Sequence, residues 1–514
     1  MKKMPNTTAS VDAGLIEELR HWGGPPEMSA FESVMWNAEV DPRLRSTTTS
    51  VLILDRTPDW DRFLSEHRWL VDAVPRFRQR VVVPAFGVAQ PTWVDDPDFD
   101  LDFHVRRFRV AAPGSERQWL DAVAILAMTP FDRARPPWEA TLVEGLEGGR
   151  AAYVLKLHHA VSDGLGIIQL LSRLFTPDRQ LAERPKPPAR EARNRRRQTP
   201  LTLGARAVTR QMTSWPATAA TAATSLASQT FTLATRPHTA LNAWRYLASA
   251  RRMLAIKPVR GSGLFRRRSL SWRLDTIEVP LAQLRAASKA VEASVNDVFL
   301  SGLIGGFRRY HEEMGVEVRE MPIGFPISLR IEGDAMGGNK FAGSQYAAPL
   351  AEKDPVQRIR HIQKFVRTTR AEPALDVMLR LMPLVSRLPL SLVTKLTADF
   401  TTAQDAQISN IRGIAHPVYF AGAEVTHFWP FAPAPGCALM IAMISHSGRC
   451  CIGINSDRAA VTEPELLIEC LREGLDEVLA LAQPAPKART SRRGHRPVKL
   501  TKAGKPQRTQ RTQR

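Results

Sequence analysis

Cysteine is scarce: the 514 residues hold four, Cys437, Cys450, Cys451 and Cys470. All lie late in the chain and none forms a Cys-x-x-Cys pair, which excludes a disulfide framework and zinc-finger spacing and fits a reducing cytoplasm. No run of about 18 apolar residues occurs, so no membrane-spanning helix is expected. Met1-Lys2-Lys3 leads into polar and acidic residues and not into an apolar segment, so no secretory signal is expected either. There is no Gly-x-Ser-x-Gly elbow, Walker loop, Gly-x-Gly-x-x-Gly fingerprint or metal-ligand cluster to point to a hydrolase, a nucleotide fold or a metalloenzyme. Acid is missing from residues 484–514, which carry eleven Lys/Arg, and from residues 251–268, which carry seven. Residues 184–197 hold seven basic residues and one acid, Glu191. With a net charge of +20, those three segments leave the remainder at −4. The positive charge therefore belongs to linkers and a tail, which favour anionic surfaces or solubility, and not to a basic globular body.

What is present suits a globular chain longer than one ordinary domain: 44% hydrophobic and 24% charged residues, enough for two cores. One stretch concentrates chemistry, Tyr153-Val-Leu-Lys-Leu-His158-His159-Ala-Val-Ser-Asp163-Gly164. Tyr153 to Leu157 reads as a buried strand, Ser162-Asp163-Gly164 as a turn, and Leu165-Gly-Ile-Ile-Gln-Leu-Leu as the start of a helix. Side chains alternate along a strand, so if the strand runs through the pair, one histidine faces a core and the other a cleft. A neutral imidazole is suited to taking a proton from an alcohol or amine. An aspartate just beyond can orient that ring or brace its own turn.

Along the chain, Ser29-Ala-Phe-Glu32 is a capping-box pattern opening a helix to about Asn37. Strands are expected at 49–55, 99–105, 269–279, 321–327, 437–445 and 450–455. Helices are expected at 59–71, 119–128, 281–291, 294–310 and 463–482, and another strand begins at Pro136-Pro137-Trp138-Glu139. His104 reads as an exposed or structural residue and not a catalytic one. In the 294–310 helix Ser294 is the N-cap and Asp297 holds the capping-box acid position. Residues 184–200 form a linker, and residues 201–238, rich in Ala, Thr and Ser, show no clear period. A helix over 239–254 gathers Leu241, Trp244, Leu247, Ala248 and Leu254 toward one side, fit either to lie on a membrane or to pack on the body. The organisation that follows is an N-terminal domain over 1–183, a basic, Ala/Thr-rich linker with helices over 184–268, a C-terminal domain over 269–483 and a disordered basic tail over 484–514.

His158-His159-x-x-x-Asp163-Gly164 resembles the signature of the coenzyme A-dependent acyltransferase superfamily. Taken with Pro75-Arg-Phe-Arg-Gln-Arg80, Pro136-Pro137-Trp138-Glu139, Val295-Asn296-Asp297-Val298-Phe299-Leu300, Pro326-Ile-Ser-Leu-Arg330 and Ile408-Ser409-Asn410-Ile411-Arg412-Gly413, the chain resembles the bacterial wax ester synthase/acyl-CoA:diacylglycerol acyltransferase family. The likeness spans about residues 28–482. It departs from the family at Pro137, where Leu is usual, and at Arg412-Gly413-Ile414, where a Pro-Gly-Pro-like ending is usual. The resemblance implies an α/β fold of two chloramphenicol-acetyltransferase-like domains with a substrate tunnel at their interface. It implies His159 as general base and His158 as a packing residue. Asp163 would be architectural and paired with an arginine, with Arg78 the candidate by position, and Gly164 would close the motif. Asn296 and Asp297 read equally as a cap or as a helix N-terminus that stabilises the thioester oxyanion or coenzyme A anions. No cofactor is expected beyond acyl-CoA as cosubstrate, with diacylglycerol or a long-chain alcohol as acceptor. The implied location is cytoplasmic, peripherally associated with the inner membrane face or lipid inclusions, with no specific nucleic acid partner. Two other readings stay open: a condensation-like transferase fed by a carrier protein, and a non-enzymatic lipid-surface or nucleic-acid-binding protein acting through its basic segments.

Overall fold

Two strands are covered on both faces: all eight residues of Thr47–Leu54 are buried, as are eight of the nine in Arg150–His158. Strands sandwiched between layers read as near-continuous hydrophobic runs without alternation. The computed structural model describes residues 7–87, 89–180, 184–187, 198–210, 213, 237–254, 259–328 and 341–482. The expected tail over 484–514 and most of the linker lie outside the described residues. In chain order the first strands are β1 (Thr47–Leu54), β2 (Gln79–Val82), β3 (Thr92–Asp95), β4 (Val105–Arg109), β5 (Trp138–Leu146), β6 (Arg150–His158) and β7 (Trp272–Pro280). They are followed by β8 (Glu320–Ser328), β9 (Phe341–Pro349), β10 (Ala406–Arg412), β11 (Tyr419–Phe420), β12 (Ala423–Phe431), β13 (Leu439–His446) and β14 (Arg449–Asp457).

Two six-stranded mixed sheets organise the described residues, in the orders β11-β12-β1-β6-β5-β4 and β7-β14-β13-β10-β8-β9. The first sheet is not built from the N-terminal half alone. Its strand β12 pairs antiparallel with β1, Thr49 opposite Phe431 and Leu52 opposite Phe428. A segment from the expected C-terminal domain thus completes the sheet that carries the histidine pair. The two halves also share a core in which Val51 and Val154 of the first sheet meet Leu274 and Cys451 of the second, with Trp119 and Trp429. Backbone approaches closely here: a Cβ on Gly453 of β14 would stand 2.0 Å from the Pro430 carbonyl oxygen of β12.

Most elements fall where the sequence puts them, with ends moved by a few residues. The Ala30–Ala38 helix has its reciprocal Ser29–Glu32 capping box. The expected strand over 99–105 is a correction. Asp100 caps a helical turn, Leu101–His104, by accepting from Asp102 N, and the strand begins only at Val105. A short acidic side chain bonding its own backbone outweighs a two-residue alternation in so short a stretch. His104 is structural: buried, bonded to the Trp138 carbonyl at 2.7 Å and stacked on Phe99 and Trp138. The Pro237–Leu254 helix packs on the body, though not through the expected stripe. Ser249 and Ala250 dock on the body, Ser249 Oγ donating to Glu372 at 2.6 Å, while Leu241, Trp244 and Leu247 stay exposed on the other side. At the head of the linker Arg184 is anchored to Glu66 and lies over the Trp69 ring. Residues 200–210 are helical.

Two buried histidines make the first half sensitive to acid. His67 donates from Nδ1 to the Phe63 carbonyl and accepts at Nε2 from the Tyr153 hydroxyl. Burial pulls the pKa of both His67 and His104 down from 6.5 to about 4. A base with a depressed folded pKa contributes stability above its unfolded pKa and loses it as pH falls through that interval. Thermal stability should therefore fall as pH drops from 6.5 toward 4. Differential scanning fluorimetry of His67→Leu is expected to show a shallower slope of Tm with pH across that interval than the parent, whatever the absolute Tm.

Candidate active site

Strand β6 sets the site by where it ends. It lies between β1 and β5, with Thr47 opposite His158 and Trp138 opposite Leu157. His158 is its last residue, and His159 opens the turn that follows. The pair is separated by strand ending as well as by alternation. The His159 backbone N–H still donates to the Ser46 carbonyl at 2.7 Å, so the turn starts from a fixed point. His158 is fully buried, whereas His159 is partly exposed.

Both ring nitrogens of His158 face polar groups. Nδ1 accepts from the Ala160 N–H at 3.0 Å, so it carries no proton. The ring hydrogen is therefore on Nε2, which lies 3.0 Å from Glu39 Oε1. The ring is set edge-on to Trp36, with centroids 4.8 Å apart. Glu39 also accepts from the Ser46 N–H at 2.6 Å. Burial pushes the Glu39 carboxyl up, but His158, Ser46 and Arg133 outweigh it and hold the group below its ordinary pKa. No sequence pattern marked Glu39, a single acid just past a helix end. Its role appears only because the Ala30–Ala38 helix delivers it to β6.

Asp163 is the N-cap of the Gly164–Leu174 helix, accepting from Gly166 N–H at 2.9 Å, and its own carbonyl receives Ile167 N–H. This is the turn-bracing role. An N-cap of this kind contributes about 1 kcal/mol. The helix buries Ile167, Ile168, Leu170, Leu171 and Leu174, each stabilising by roughly 1.5–3 kcal/mol. Arg78 lies 3.4 Å from Asp72 and over the Phe99 ring. The Arg78–Asp163 pairing rests on the resemblance. Gly164 has a steric reason: a Cβ there would stand 2.3 Å from Ile411 Cδ1. Ile411 belongs to the Ile408–Gly413 motif near the end of β10, so two motifs about 250 residues apart meet at the glycine. Gly413 is equally constrained, since a Cβ would lie 2.3 Å from the Ser445 carbonyl oxygen.

Two of the remaining motifs pack around the strand end. The Pro137 carbonyl accepts from His158 N–H, and Trp138 Nε1 donates to the Phe77 carbonyl at 2.7 Å. Arg76, beside Phe77, donates to the carbonyls of Gly23, Gly24 and Pro25 and lies over the Trp93 ring. Burial lowers its pKa to about 9. Lys156, one turn of the pleat before His158, is buried between the Thr129 carbonyl at 2.7 Å and Glu139 at 3.5 Å. Burial pulls its pKa down against the opposing attraction of Glu139. Asp297 is spent on the cap of the Val295–Glu313 helix, its carboxylate receiving Ser294 N–H and Oγ–H. Asn296 is half-buried beside it. That helix packs on the Leu281–Ala290, Pro355–Arg370 and Pro464–Leu479 helices of the second half. The geometry thus displays the capping role, and the oxyanion role rests on the resemblance. Pro326–Ser328 lies on β8, while Leu329 and Arg330 fall outside the described residues. A cavity of about 780 Å³ beside Arg260, Arg266, Arg319 and His361 is lined by no residue of the histidine motif.

Residues 28–299 match the family model described as the wax ester synthase/diacylglycerol acyltransferase catalytic domain, and residues 337–478 match its C-terminal domain. The chain belongs to that family. A putative diacylglycerol O-acyltransferase of Mycobacterium tuberculosis is 38% identical over 464 residues, covering 90% of this chain and 93% of its own. A probable diacylglycerol O-acyltransferase of the same organism is 28% identical over 79% of this chain and 87% of its own. The solved wax ester synthase/diacylglycerol acyltransferase from Marinobacter aquaeolei superposes with a TM-score of 0.57 at 18% identity, covering 93% of this chain and 99% of that one. The first condensation domain of the calcium-dependent antibiotic synthetase superposes at 0.59 with 15% identity, covering 90% of this chain and 97% of that one. These likenesses bear out the expected fold of two acetyltransferase-like halves. The protein is an acyltransferase, and the reading as a non-enzymatic binding protein falls away.

The contact between the two motifs can be tested directly. Gly164→Ala in the acyltransferase pushes a methyl against the tip of a flexible side chain, so it should destabilise by about 1–3 kcal/mol. Adding Ile411→Val should restore at least about 0.5 kcal/mol, read as a coupling in a double-mutant cycle of denaturant unfolding.

Proposed function

We propose that the acyltransferase moves a long-chain acyl group from acyl-CoA to diacylglycerol, to a fatty alcohol, or to both, with His159 as general base. The observation that carries this is that His158 is fully buried with Nδ1 hydrogen-bonded and Nε2 turned to Glu39, beside a second histidine that leaves the strand and keeps exposure. In this mechanism His159 takes the hydroxyl proton of the acceptor as its oxygen attacks the thioester carbonyl. The tetrahedral oxyanion collapses, the carbon–sulfur bond breaks, and the imidazolium returns the proton to the thiolate of coenzyme A. Ester and free thiol leave, and no acyl group is held covalently by the protein. A tunnel between the halves would carry the two acyl chains, with Asn296 at a helix N-terminus as a candidate anion stabiliser.

Purified protein with a long-chain acyl-CoA, offered a diacylglycerol and a fatty alcohol in parallel, is the deciding assay. Saturable turnover with free acyl-CoA supports this reading; turnover only with a loaded carrier protein replaces it by the condensation-like one. His159→Ala is expected to lose on the order of 10²-fold or more in kcat. His158→Ala should act mainly through folding, because it strands the buried Glu39 carboxylate; equal catalytic loss in two equally stable variants would reverse the assignment. Asp163→Asn and Arg78→Ala should lower stability and activity together while the pH–rate profile keeps its histidine limb.

The lipid substrates call for peripheral contact with a membrane or lipid inclusion. No described helix is long and apolar enough to cross a bilayer. The exposed Leu241, Trp244 and Leu247 beside the basic stretch 251–268 support this contact more than the tail does, because only they add insertable apolar side chains to charge. In vesicle co-sedimentation, Trp244→Ala and high salt should each weaken binding more than deletion of 484–514; the reverse order would reject the ranking.

A further inference from the structure

One row of paired residues crosses the second sheet and carries three amides. Asn455 of β14 stands opposite Met440 of β13, Met440 opposite Gln407 of β10, Gln407 opposite Gly324 of β8, and Gly324 opposite Gln345 of β9. Residues paired in this way point to one face of a sheet. Their chain neighbours Ile454, Ile441, Ile408, Ile323 and Tyr346 lie in the core of the second half, so alternation turns the row to the opposite face. That face looks toward the first half: on β10 Ile411 meets Gly164, and on β14 Gly453 lies against the Pro430 carbonyl. A fourth amide joins from outside the strands. Gln404, 4% exposed, lies over Gly324, which has no room for a Cβ beneath that carboxamide. These amides are not spent on the protein. Asn455 is 2% exposed with Oδ1 unpaired, and its Nδ2 reaches only the Ala432 carbonyl at 3.4 Å. Gln345 Nε2 is buried without a partner. Gln404 and Gln407 make no side-chain hydrogen bond among the described residues. Buried polar groups are almost always hydrogen-bonded, so idle amides gathered on one face call for a partner from outside the chain.

We propose that this row selects the acyl acceptor by binding the ester carbonyls and hydroxyl of a neutral glyceride. A carboxamide donates and accepts at once, which suits carbonyl and hydroxyl groups. A phosphate or carboxylate would call for Arg or Lys, and the row has neither. The next row toward the histidine motif, Gly453, Ala442 and Ser409, is small and uncharged as well. Coenzyme A, whose amides lead into a charged diphosphate, fits this face less well than a glyceride does. Met440 also joins Ala434, Cys437 and Ala442 in an apolar cluster, so ground for acyl chains adjoins the amides. A fatty alcohol has one hydroxyl and no ester, and it would leave the amides buried and idle. A site built to bond a polar group rejects the analogue that lacks it. The row therefore directs transfer to diacylglycerol in preference to a fatty alcohol. This deepens the acyl-transfer reading and rests on it.

The test uses the full chain with saturating long-chain acyl-CoA and two acceptors in competition, dioctanoylglycerol and dodecanol. The parent should favour dioctanoylglycerol by kcat/KM. Gln407→Leu with Gln345→Leu, both at half-buried positions, should lower that preference by about tenfold or more through the KM for the glyceride. Circular dichroism and Tm check the fold of the variant. If it does not fold, Gln407→Met alone, which keeps the side-chain length, carries the same comparison. A parent that prefers the alcohol, or a folded variant with the parent's preference, would overturn the proposal. So would a raised KM for acyl-CoA with acceptor preference unchanged, which would assign the amides to the pantetheine arm of the donor. Absence of turnover with both acceptors would instead sink the acyl-transfer reading. Binding then decides the row: dioctanoylglycerol should raise the Tm of the parent and not that of the variant, and equal shifts in the two would overturn the proposal.

Discussion

The site depends on the last residue of one buried strand. His158 ends β6 between β1 and β5, with its backbone N–H on the Pro137 carbonyl and its ring held between Ala160 N–H and Glu39. A fully buried imidazole hydrogen-bonded at Nδ1 and facing a carboxylate 3.0 Å from Nε2 is held in place in a low-dielectric setting, and the next residue inherits that position. His159 gains a defined starting point from the Ser46 carbonyl and then departs into a turn. The turn closes on Asp163, whose carboxylate starts the following helix. Strand end, turn and cap are one continuous stretch of six residues, His158 to Asp163.

Around that stretch the motifs hold one another, and little of each is spent on direct chemistry. Arg76 fastens the loop before the first helix of the catalytic region, Phe77 holds Trp138 by its carbonyl, and Trp138 covers His104. Gly164 admits Ile411 from the far half of the chain. The motifs at 75–80, 136–139, 158–164 and 408–413 thus meet around one strand end, while that at 295–300 packs in the core of the second half. Substituting Phe77, Trp138 or Gly164 should be felt as loss of geometry around β6 and not as loss of a catalytic group.

The face of β6 shared by Lys156 and His158 is polar although it is buried. Lys156 reaches Glu139 and the Thr129 carbonyl, and His158 reaches Glu39, so each charge or dipole meets a partner. Removing one member of such a pair costs more than removing both, because the survivor remains buried and unsatisfied. Buried polar pairs of this kind fix register, since a one-residue slip of β6 would move both to the opposite face.

Local signals were legible in the sequence because they act over a few residues. The Ser29–Glu32 and Ser294–Asp297 capping boxes, the bracing role of Asp163, the buried strand before the histidine pair and the outline of the long helices all follow from bonds between neighbours in the chain. Motif order sufficed to point to the acyltransferase family. The 99–105 stretch failed at the same short range, where Asp100 captured its own backbone before a strand could start. Only the tertiary structure placed β12 beside β1, brought Glu39 to His158 and set Ile411 against Gly164. These contacts join residues far apart in the chain, and nothing in the local pattern of a glutamate, a glycine or an apolar strand encodes which partner it will meet. That choice is made by the packing of two whole sheets, whose free energy belongs to no single segment.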